Sequence, residues 1–426
     1  MSVDAHTATR IRGAANAAAP RTRSLRTRGW AIVAALSVTE TVSWGILYYA
    51  FAVFLIPMQR ELGFSTAELT GAFSAALLVS GVAGIAVGRH LDRDSPRTLM
   101  TVGSIAGVGL VLAWSQVHGL VAYYAIWVAI GLVMAAVLYE PAFTVLAKHF
   151  DDAGERRRAM TAMTLVAALA SFIFMPLAQA LIDAHGWRDA LIVLAVVLAV
   201  VTVPLHAAVL RPAPAVRQAH LGSAADASRS IAARDALRTA PFWLLSGAFV
   251  LASITSIAVT VHAIPFLIER GHSPAFAAFA VGLVGISQIP GRLLFAPIAA
   301  RLPRPAATAS VFALIAAGVT VIVGVPATWA VVAGLVVLGM GNGMATLARA
   351  TAIADLYGAG AYGTIAAVAA SMTTAARAGG PVSAAIYAGL VGYSGLLWTL
   401  AALAATAAAL AWRAESAAVR TASAAS

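Results

Sequence analysis

The sequence lacks cysteine and has few charged residues. With no cysteine among its 426 residues, the chain cannot form disulfide bonds, a thiolate nucleophile or a zinc–thiolate site. Only 11% of residues are charged, whereas a typical soluble domain has about 25%. Because 61% of residues are hydrophobic, the chain has too little polar surface for a soluble protein.

Signatures of catalysis are also missing. No glycine-rich loop ends in Lys followed by Ser or Thr, so we do not expect direct use of ATP. The histidines do not have the spacing of metal ligands, so we expect no metal site. The glycine-rich run 334–343 lies inside an apolar segment and predicts close helix packing. We therefore predict that the protein is not an enzyme and needs no cofactor.

Long apolar runs recur along the whole chain. Most have about the 20 residues that an α-helix needs to cross a bilayer, and short alternating segments typical of a β-barrel do not occur. The sequence therefore predicts an all-α membrane protein with twelve transmembrane helices. The predicted spans are 30–58, 68–88, 98–115, 119–147, 159–183, 188–210, 241–268, 275–299, 305–323, 328–356, 362–389 and 393–412.

A polar stretch divides these spans into two groups of six. Residues 211–240 are rich in Ala, Ser and Arg and predict a linker, with a small regulatory helix as the alternative. The sequence Phe-Leu-Ile occurs at 54–56 and again at 266–268, which suggests two pseudo-symmetric six-helix bundles. The predicted domains are a disordered basic tail (1–29), bundles at 30–210 and 241–412, the linker between them, and a C-terminal tail (413–426).

The net charge of +11 is distributed unevenly. Of 28 Lys and Arg residues, 22 lie in the termini and the even-numbered loops, three in odd-numbered loops and three inside spans. Cytoplasmic loops of membrane proteins carry such an excess of basic residues. The pattern therefore predicts a multi-pass protein of the cytoplasmic membrane with both termini in the cytoplasm. It argues against nucleic acid as a partner.

The charged turn between the second and third spans resembles a known motif. Gly88, Asp92, Arg93 and Arg97 match the loop between helices two and three of the major facilitator superfamily, with Ser95 in place of its second glycine. The resemblance implies two bundles that rock about a central site. In the family the Asp is thought to hold the halves together on the cytoplasmic side, so it implies a gate at these four residues.

Two further segments resemble one branch of that superfamily. Residues 40–45, Glu-Thr-Val-Ser-Trp-Gly, are similar to the start of monocarboxylate porters. Tyr139-x-Pro141 and the basic loop that follows resemble both those porters and oxalate–formate exchangers. The resemblance implies a small organic anion as substrate.

Ionisable residues inside spans are candidates for function, because each costs about 2.5–3.5 kcal/mol on insertion scales. Arg292 shares a helix face with Gln288, where the porters carry an Asp–Arg pair that is taken to bind carboxylate. Arg377 resembles the eleventh-span basic residue of oxalate–formate exchangers. Both arginines are predicted substrate ligands, with structural pairing as the alternative. The predicted substrate site also includes Gln288 and the cavity-lining candidate Tyr48.

The other intramembrane charges are candidates for coupling and gating. Glu40, Glu140 and His262 are predicted carriers of a coupled proton, although each could instead be a structural contact. Arg349 occupies the place in the second half that Glu140 occupies in the first. These two residues could form a cytoplasmic gate, or make separate contacts.

We therefore predict a monomeric secondary transporter that moves a small organic anion by alternating access, either coupled to protons or by exchange. The alternative is an efflux antiporter for drugs or other cationic or neutral compounds. The expected partners of the protein are its substrate and the lipid bilayer. Seven aromatic residues near span ends are expected to anchor the protein at the membrane interface: Trp114, Tyr123, Tyr124, Trp127, Trp187, Tyr393 and Trp398.

Overall fold

The computed structural model describes residues 29–93, 96–150, 152–210, 233–357 and 362–424. The regular structure of these residues is helical, and eleven of the helices are long and apolar enough to cross a membrane. Residues 1–28 of the predicted tail and 211–232 of the predicted linker lie outside the described part of the chain.

The helices follow the predicted spans to within a few residues at most ends. Those of the first half are α1 (Gly29–Leu62), α2 (Thr66–Arg93), α3 (Pro96–Ser115), α4 (Leu120–His149), α5 (Gly154–His185) and α6 (Trp187–Val209). The second half begins with a short helix, Ala233–Ala236, and continues with α7 (Ala240–Glu269), α8 (Pro274–Ala299), α9 (Arg304–Gly324), α10 (Thr328–Tyr357) and a 63-residue helix, Tyr362–Ala424.

The 63-residue helix consists of two spans joined by a sharp turn. A straight helix of this length would be about three times as long as the hydrocarbon core of a bilayer is thick. Gly392 adopts φ 73° and ψ 168°, and the hydroxyl oxygens of Tyr387 and Thr399 lie 3.2 Å apart, so the chain folds back on itself. The two arms are α11 (362–391) and α12 (393–424). The described residues thus contain twelve spans, which confirms the predicted fold.

The helices pack in the same way in both halves. In the first half α2 packs on α4 and α3 on α6, and in the second half α8 packs on α10 and α9 on α12. The halves meet where α2 packs on α11 and α5 on α8. Because helix n of the first half corresponds to helix n + 6 of the second, these two contacts between the halves are equivalent to each other.

Glycines allow α10 to approach its neighbours closely. A methyl group on Gly343 would lie 2.2 Å from the carbonyl oxygen of Gln288 in α8, and one on Gly334 would lie 2.7 Å from the carbonyl oxygen of Gly318 in α9. This confirms the packing predicted for the run 334–343. Gly291 of α8 packs equally closely on Met340 of α10. Glycine contacts therefore fix the position of α8 on both sides of Gln288.

The prediction of interfacial anchors was wrong for four aromatic residues. Trp114, Tyr123, Trp127 and Trp187 are all buried. Three of these rings pack in the core, where Trp114 lies 5.3 Å from Phe54 and 4.8 Å from Trp127 between ring centroids. The Trp187 indole donates a hydrogen bond to Glu61. Position along a span does not tell which way a ring points, and these rings point into the bundle.

The C-terminal helix extends beyond the last predicted span. It runs to Ala424 and so includes most of the segment that hydropathy places in a tail. Glu415 in this extension is buried, and its carboxylate accepts a hydrogen bond from Thr308 and lies 3.4 Å from the Arg304 guanidinium. The extension therefore packs against α9 as part of the second bundle.

Candidate functional site

A wide turn in α1 positions the first part of the site. Residues Gly45–Tyr49 form one turn of π-helix inside an otherwise α-helical span. A methyl group on Gly45 would lie 2.2 Å from the Phe174 ring and 2.8 Å from its Cβ atom. Only glycine therefore allows α5 to pack against this turn. Such turns are frequent at functional sites, and this one carries Tyr48 and Tyr49, whose rings lie 5.0 Å apart.

Arg292 lies on α8 where the glycine contacts fix the helix. Its Nη2 atom donates to Gln288 Oε1 at 3.3 Å, and its Nη1 atom donates to the carbonyl oxygen of Thr164 at 3.2 Å. Thr164 belongs to α5, so the second bond joins the two halves. The buried Nε atom has no hydrogen-bond partner among the described residues. Arg292 therefore retains an unused donor.

Arg377 lies near the middle of α11 and also reaches the other half. Its Nη2 atom donates to the Tyr48 hydroxyl at 3.1 Å, and its Cζ atom lies 5.9 Å from the centre of that ring. The side chain is exposed although it lies at mid-span between the halves. It therefore lies beside accessible space between the halves and not in the packed core.

Tyr49 and Tyr139 link the two arginines into one site. Both guanidinium groups lie within electrostatic range of the hydroxyls of Tyr49 and Tyr139. Among the described residues, the hydrogen bonds of the two arginines end on neutral oxygens: an amide, a backbone carbonyl and a phenol. Among the described residues neither arginine forms an ion pair. The site thus concentrates positive charge in a partly dehydrated place.

Glu40 is the carboxyl group beside this site. It is fully buried in α1, and its Oε2 atom accepts a hydrogen bond of 3.1 Å from the Trp44 indole. Its Oε1 atom has no hydrogen-bond partner among the described residues. Glu40 also lies within electrostatic range of the Tyr139 hydroxyl. One oxygen of this carboxyl group is therefore available to bind a proton.

The other predicted proton carriers lie in different surroundings. His262 is buried in α7, and its Nε2 atom lies 2.9 Å from the carbonyl oxygen of Pro381, so Nε2 carries the proton of that bond. Its Nδ1 atom has no partner among the described residues. Glu140 is exposed and lies in the first turn of the helical segment that follows a break in α4 at Leu138.

The predicted gate is only partly described. Gly88, Asp92 and Arg93 lie in the last turns of α2, but the side chains of Asp92 and Arg93 lie outside the described part of the structure. Arg97 is exposed at the start of α3. The Arg349 Nη1 atom lies 3.5 Å from Thr373 Oγ1, and the described ion pairs do not include one between Arg349 and Glu140.

Sequence reasoning missed Tyr139 and Thr164 as residues of the site. Tyr139 stands beside a helix break and two residues before Pro141, which was a usable signal. Tyr49 follows Tyr48 directly, but the regular α-helix expected from the sequence gives no reason to place Tyr49 beside α8. Thr164 contributes its backbone carbonyl, which leaves no signature in the side-chain sequence.

Sequence comparison connects the chain with transport proteins. A profile of the Major Facilitator Superfamily matches residues 33–381. Monocarboxylate transporter 13 of Bos taurus is 27% identical over 294 residues, and that of Rattus norvegicus is 25% identical over 291 residues. Each alignment covers 66% of this chain and 63% of the relative. The chain therefore matches less than two thirds of the length of these relatives.

Solved structures of low sequence identity share the fold. A bacterial homologue of the human lysosomal transporter Spinster, in an inward-facing and unoccupied conformation, has a TM-score of 0.74 and 14% identity, covering 92% of this chain and 98% of that one. The nucleoside transporter NupG has a TM-score of 0.70 and 13% identity, covering 90% and 98%. At these identities the likeness concerns the fold alone.

Proposed function

The chain belongs to the Major Facilitator Superfamily, and we propose that this secondary transporter moves a small monocarboxylate-like anion through the site formed by Arg292 and Arg377. It is a multi-pass membrane protein and not an enzyme. We also propose that the protein lies in the cytoplasmic membrane with both termini in the cytoplasm. The reason is that basic residues concentrate in the termini and in the even-numbered loops, as they do on the cytoplasmic side of membrane proteins.

One observation carries the proposal of an anion. Arg292 and Arg377 lie on different helices of the second half, and their hydrogen bonds all end on neutral oxygens. A carboxylate would supply the missing negative charge and can accept two parallel bonds from a guanidinium group. A cationic drug would meet two positive charges here, so we favour the anion over the alternative substrate class. The similarity to two monocarboxylate transporters supports the same choice.

Proton coupling is assigned first to Glu40. One oxygen of its buried carboxyl group has no hydrogen-bond partner among the described residues. The carboxyl group lies within electrostatic range of the Tyr139 hydroxyl, and this hydroxyl lies within electrostatic range of both arginines. Proton binding at Glu40 would therefore change the electrostatic environment of the anion site. His262 and Glu140 remain the other candidate carriers, and exchange of two anions without net proton movement is the remaining mode.

Alternating access would move the two bundles about this site. The hydrogen bonds from Arg292 to Thr164 and from Arg377 to Tyr48 join the halves at the site itself. A bound carboxylate would compete with both acceptors, so substrate binding would change the contact between the halves. We assign the gate on the side of the termini to Gly88, Asp92, Arg93 and Arg97, with Arg349 and Glu140 near it.

Uptake of radiolabelled acetate, lactate and benzoate into proteoliposomes tests the proposal. Arg292→Gln and Arg377→Gln should each reduce uptake of a transported acid at least about tenfold, because a hydrogen bond to a charged group contributes about 1.5–3 kcal/mol. The matched control is Arg413→Gln, which removes one exposed positive charge from α12. Unchanged uptake by both site variants, or uptake of cationic dyes in place of acids, would contradict the proposal.

A further inference from the structure

We infer that the substrate is an aromatic carboxylate whose ring binds the first half of the protein while its carboxylate binds the second half. This inference rests on the proposed function, since it describes the substrate of the same site. It adds a ring-binding surface formed by Trp44, Tyr49 and Tyr139, which we call the aromatic wall.

The two halves contribute different chemistry to the cavity. Arg292, Gln288 and Arg377 come from α8 and α11 of the second half, whereas the aromatic wall comes from α1 and α4 of the first half. The two groups face each other, because Arg377 donates a 3.1 Å hydrogen bond to Tyr48, whose ring lies 5.0 Å from that of Tyr49. Both arginines also lie within electrostatic range of Tyr49 and Tyr139. A ligand that reaches from one group to the other must be anionic at one end and apolar at the other.

Trp44 is the centre of the aromatic wall. Its ring centroid lies 4.9 Å from that of Tyr139, 6.3 Å from that of Tyr49 and 4.9 Å from that of Tyr48. Beyond it, Phe143 stacks on Tyr139 at 5.4 Å. These spacings lie in the range of favourable ring contacts, about 4.5–7 Å. A further flat ring could join the group at the same spacing.

The aromatic wall remains partly open, unlike the aromatic layer behind it. Phe51, Phe73 and Trp127 are closed off completely, with at most 1% of their surface exposed. Trp44, Tyr49 and Tyr139 are only half-buried. Because Tyr49 and Tyr139 lie within electrostatic range of both arginines, this partly exposed wall lies beside the arginine pair. An apolar surface of this kind beside a cation pair is suited to a ligand that covers it.

A ring explains the wall better than a short acid or a long alkyl chain does. Acetate would reach the arginines and leave the aromatic faces uncovered. A long alkyl chain would need an extended apolar path, whereas Tyr49 and Tyr139 place hydroxyl groups around the wall. A single aromatic ring covers the open faces and leaves those hydroxyls free to bond polar substituents.

Binding to the purified transporter in detergent tests the inference, with acetate, cyclohexanecarboxylate and benzoate as probes in competition with a transported radiolabelled acid. We expect benzoate to bind at least about tenfold more tightly than acetate, and more tightly than cyclohexanecarboxylate, because only benzoate offers a flat ring. Relative to acetate, Trp44→Leu should weaken benzoate about tenfold. The matched control is Trp329→Leu, whose ring is 70% exposed at the start of α10.

A second pair of variants distinguishes a specific effect on the ring from a general loss of folding. Tyr139→Phe keeps the ring and should keep the preference for benzoate, whereas Tyr139→Leu should lose it. Equal affinity of the wild-type protein for benzoate and acetate would overturn the inference, and so would a Trp44→Leu variant that weakens both acids equally. Both results leave the proposed function standing, because an acid still binds. Binding of no carboxylate by the wild-type protein would overturn both.

Discussion

The Arg377 guanidinium group donates a hydrogen bond of 3.1 Å to the Tyr48 hydroxyl, across the interface between the two halves. The two residues are 329 positions apart in the sequence, and they meet because α1 widens into a π-helical turn where α11 passes it. A carboxylate bound at Arg377 would compete with this phenol. The bond therefore connects occupation of the site with contact between the moving bundles.

Tyr48→Phe should tighten binding of a carboxylate. The change removes the phenol oxygen that occupies Arg377 Nη2 and keeps the ring that packs 5.5 Å from Phe73. A hydrogen bond that involves a charged group contributes about 1.5–3 kcal/mol, so affinity should rise about tenfold or more. Equilibrium binding measures this, with Tyr387→Phe on the far part of α11 as control. Weaker binding would mean that Tyr48 itself binds the substrate.

Glu40→Gln should separate proton coupling from transport. Glutamine keeps the size of the side chain and an oxygen that can accept the Trp44 hydrogen bond, but it cannot exchange a proton. We expect accumulation driven by a pH gradient to be lost, while exchange of labelled for unlabelled substrate continues. The measurement is uptake with and without a pH gradient, beside counterflow in the same vesicles. His262→Gln serves as the comparison, and normal gradient-driven accumulation by Glu40→Gln would transfer the role to another group.

Gly45→Ala should destabilise the protein. The added methyl group would lie 2.2 Å from the Phe174 ring, and overpacking of this kind costs about 1–3 kcal/mol. The midpoint of thermal unfolding in detergent should fall, whereas Gly109→Ala on α3 should be neutral or stabilising because its methyl group meets open space.

The double variant with Phe174→Ala shows whether this contact is the cause. Removal of the ring leaves room for the methyl group, so the combined loss of stability should be smaller than the sum of the two separate losses. Additive losses would show that Gly45 acts through something other than the Phe174 ring.

The spans could be predicted closely because a bilayer imposes about 20 apolar residues on each crossing. The glycine contacts of α10 followed from composition for a similar reason, since close packing in membranes needs small residues. Burial of Trp114 and Trp127 could not be predicted, because hydropathy gives the depth of a ring along a span and not the face on which it lies.

The site was predictable only where a charge stands out against an apolar background. Arg292 and Arg377 are conspicuous for that reason, and the spacing of Gln288 and Arg292 already placed them on one helix face. The acceptors of the arginines were not predictable. Thr164 acts through its backbone, and the contact of Arg377 with Tyr48 depends on a π-helical turn and on packing between residues 329 positions apart.

Binding of a matched acid and amide tests the central assignment most directly. Phenylacetate and phenylacetamide have nearly the same shape, and they differ in the charge that Arg292 and Arg377 would bind. The wild-type protein should bind the acid at least about tenfold more tightly, and the double variant Arg292→Gln with Arg377→Gln should bind the two compounds equally. Equal binding by the wild-type protein, or a preference for the acid that survives in the double variant, would contradict the assignment of these arginines as the anion site.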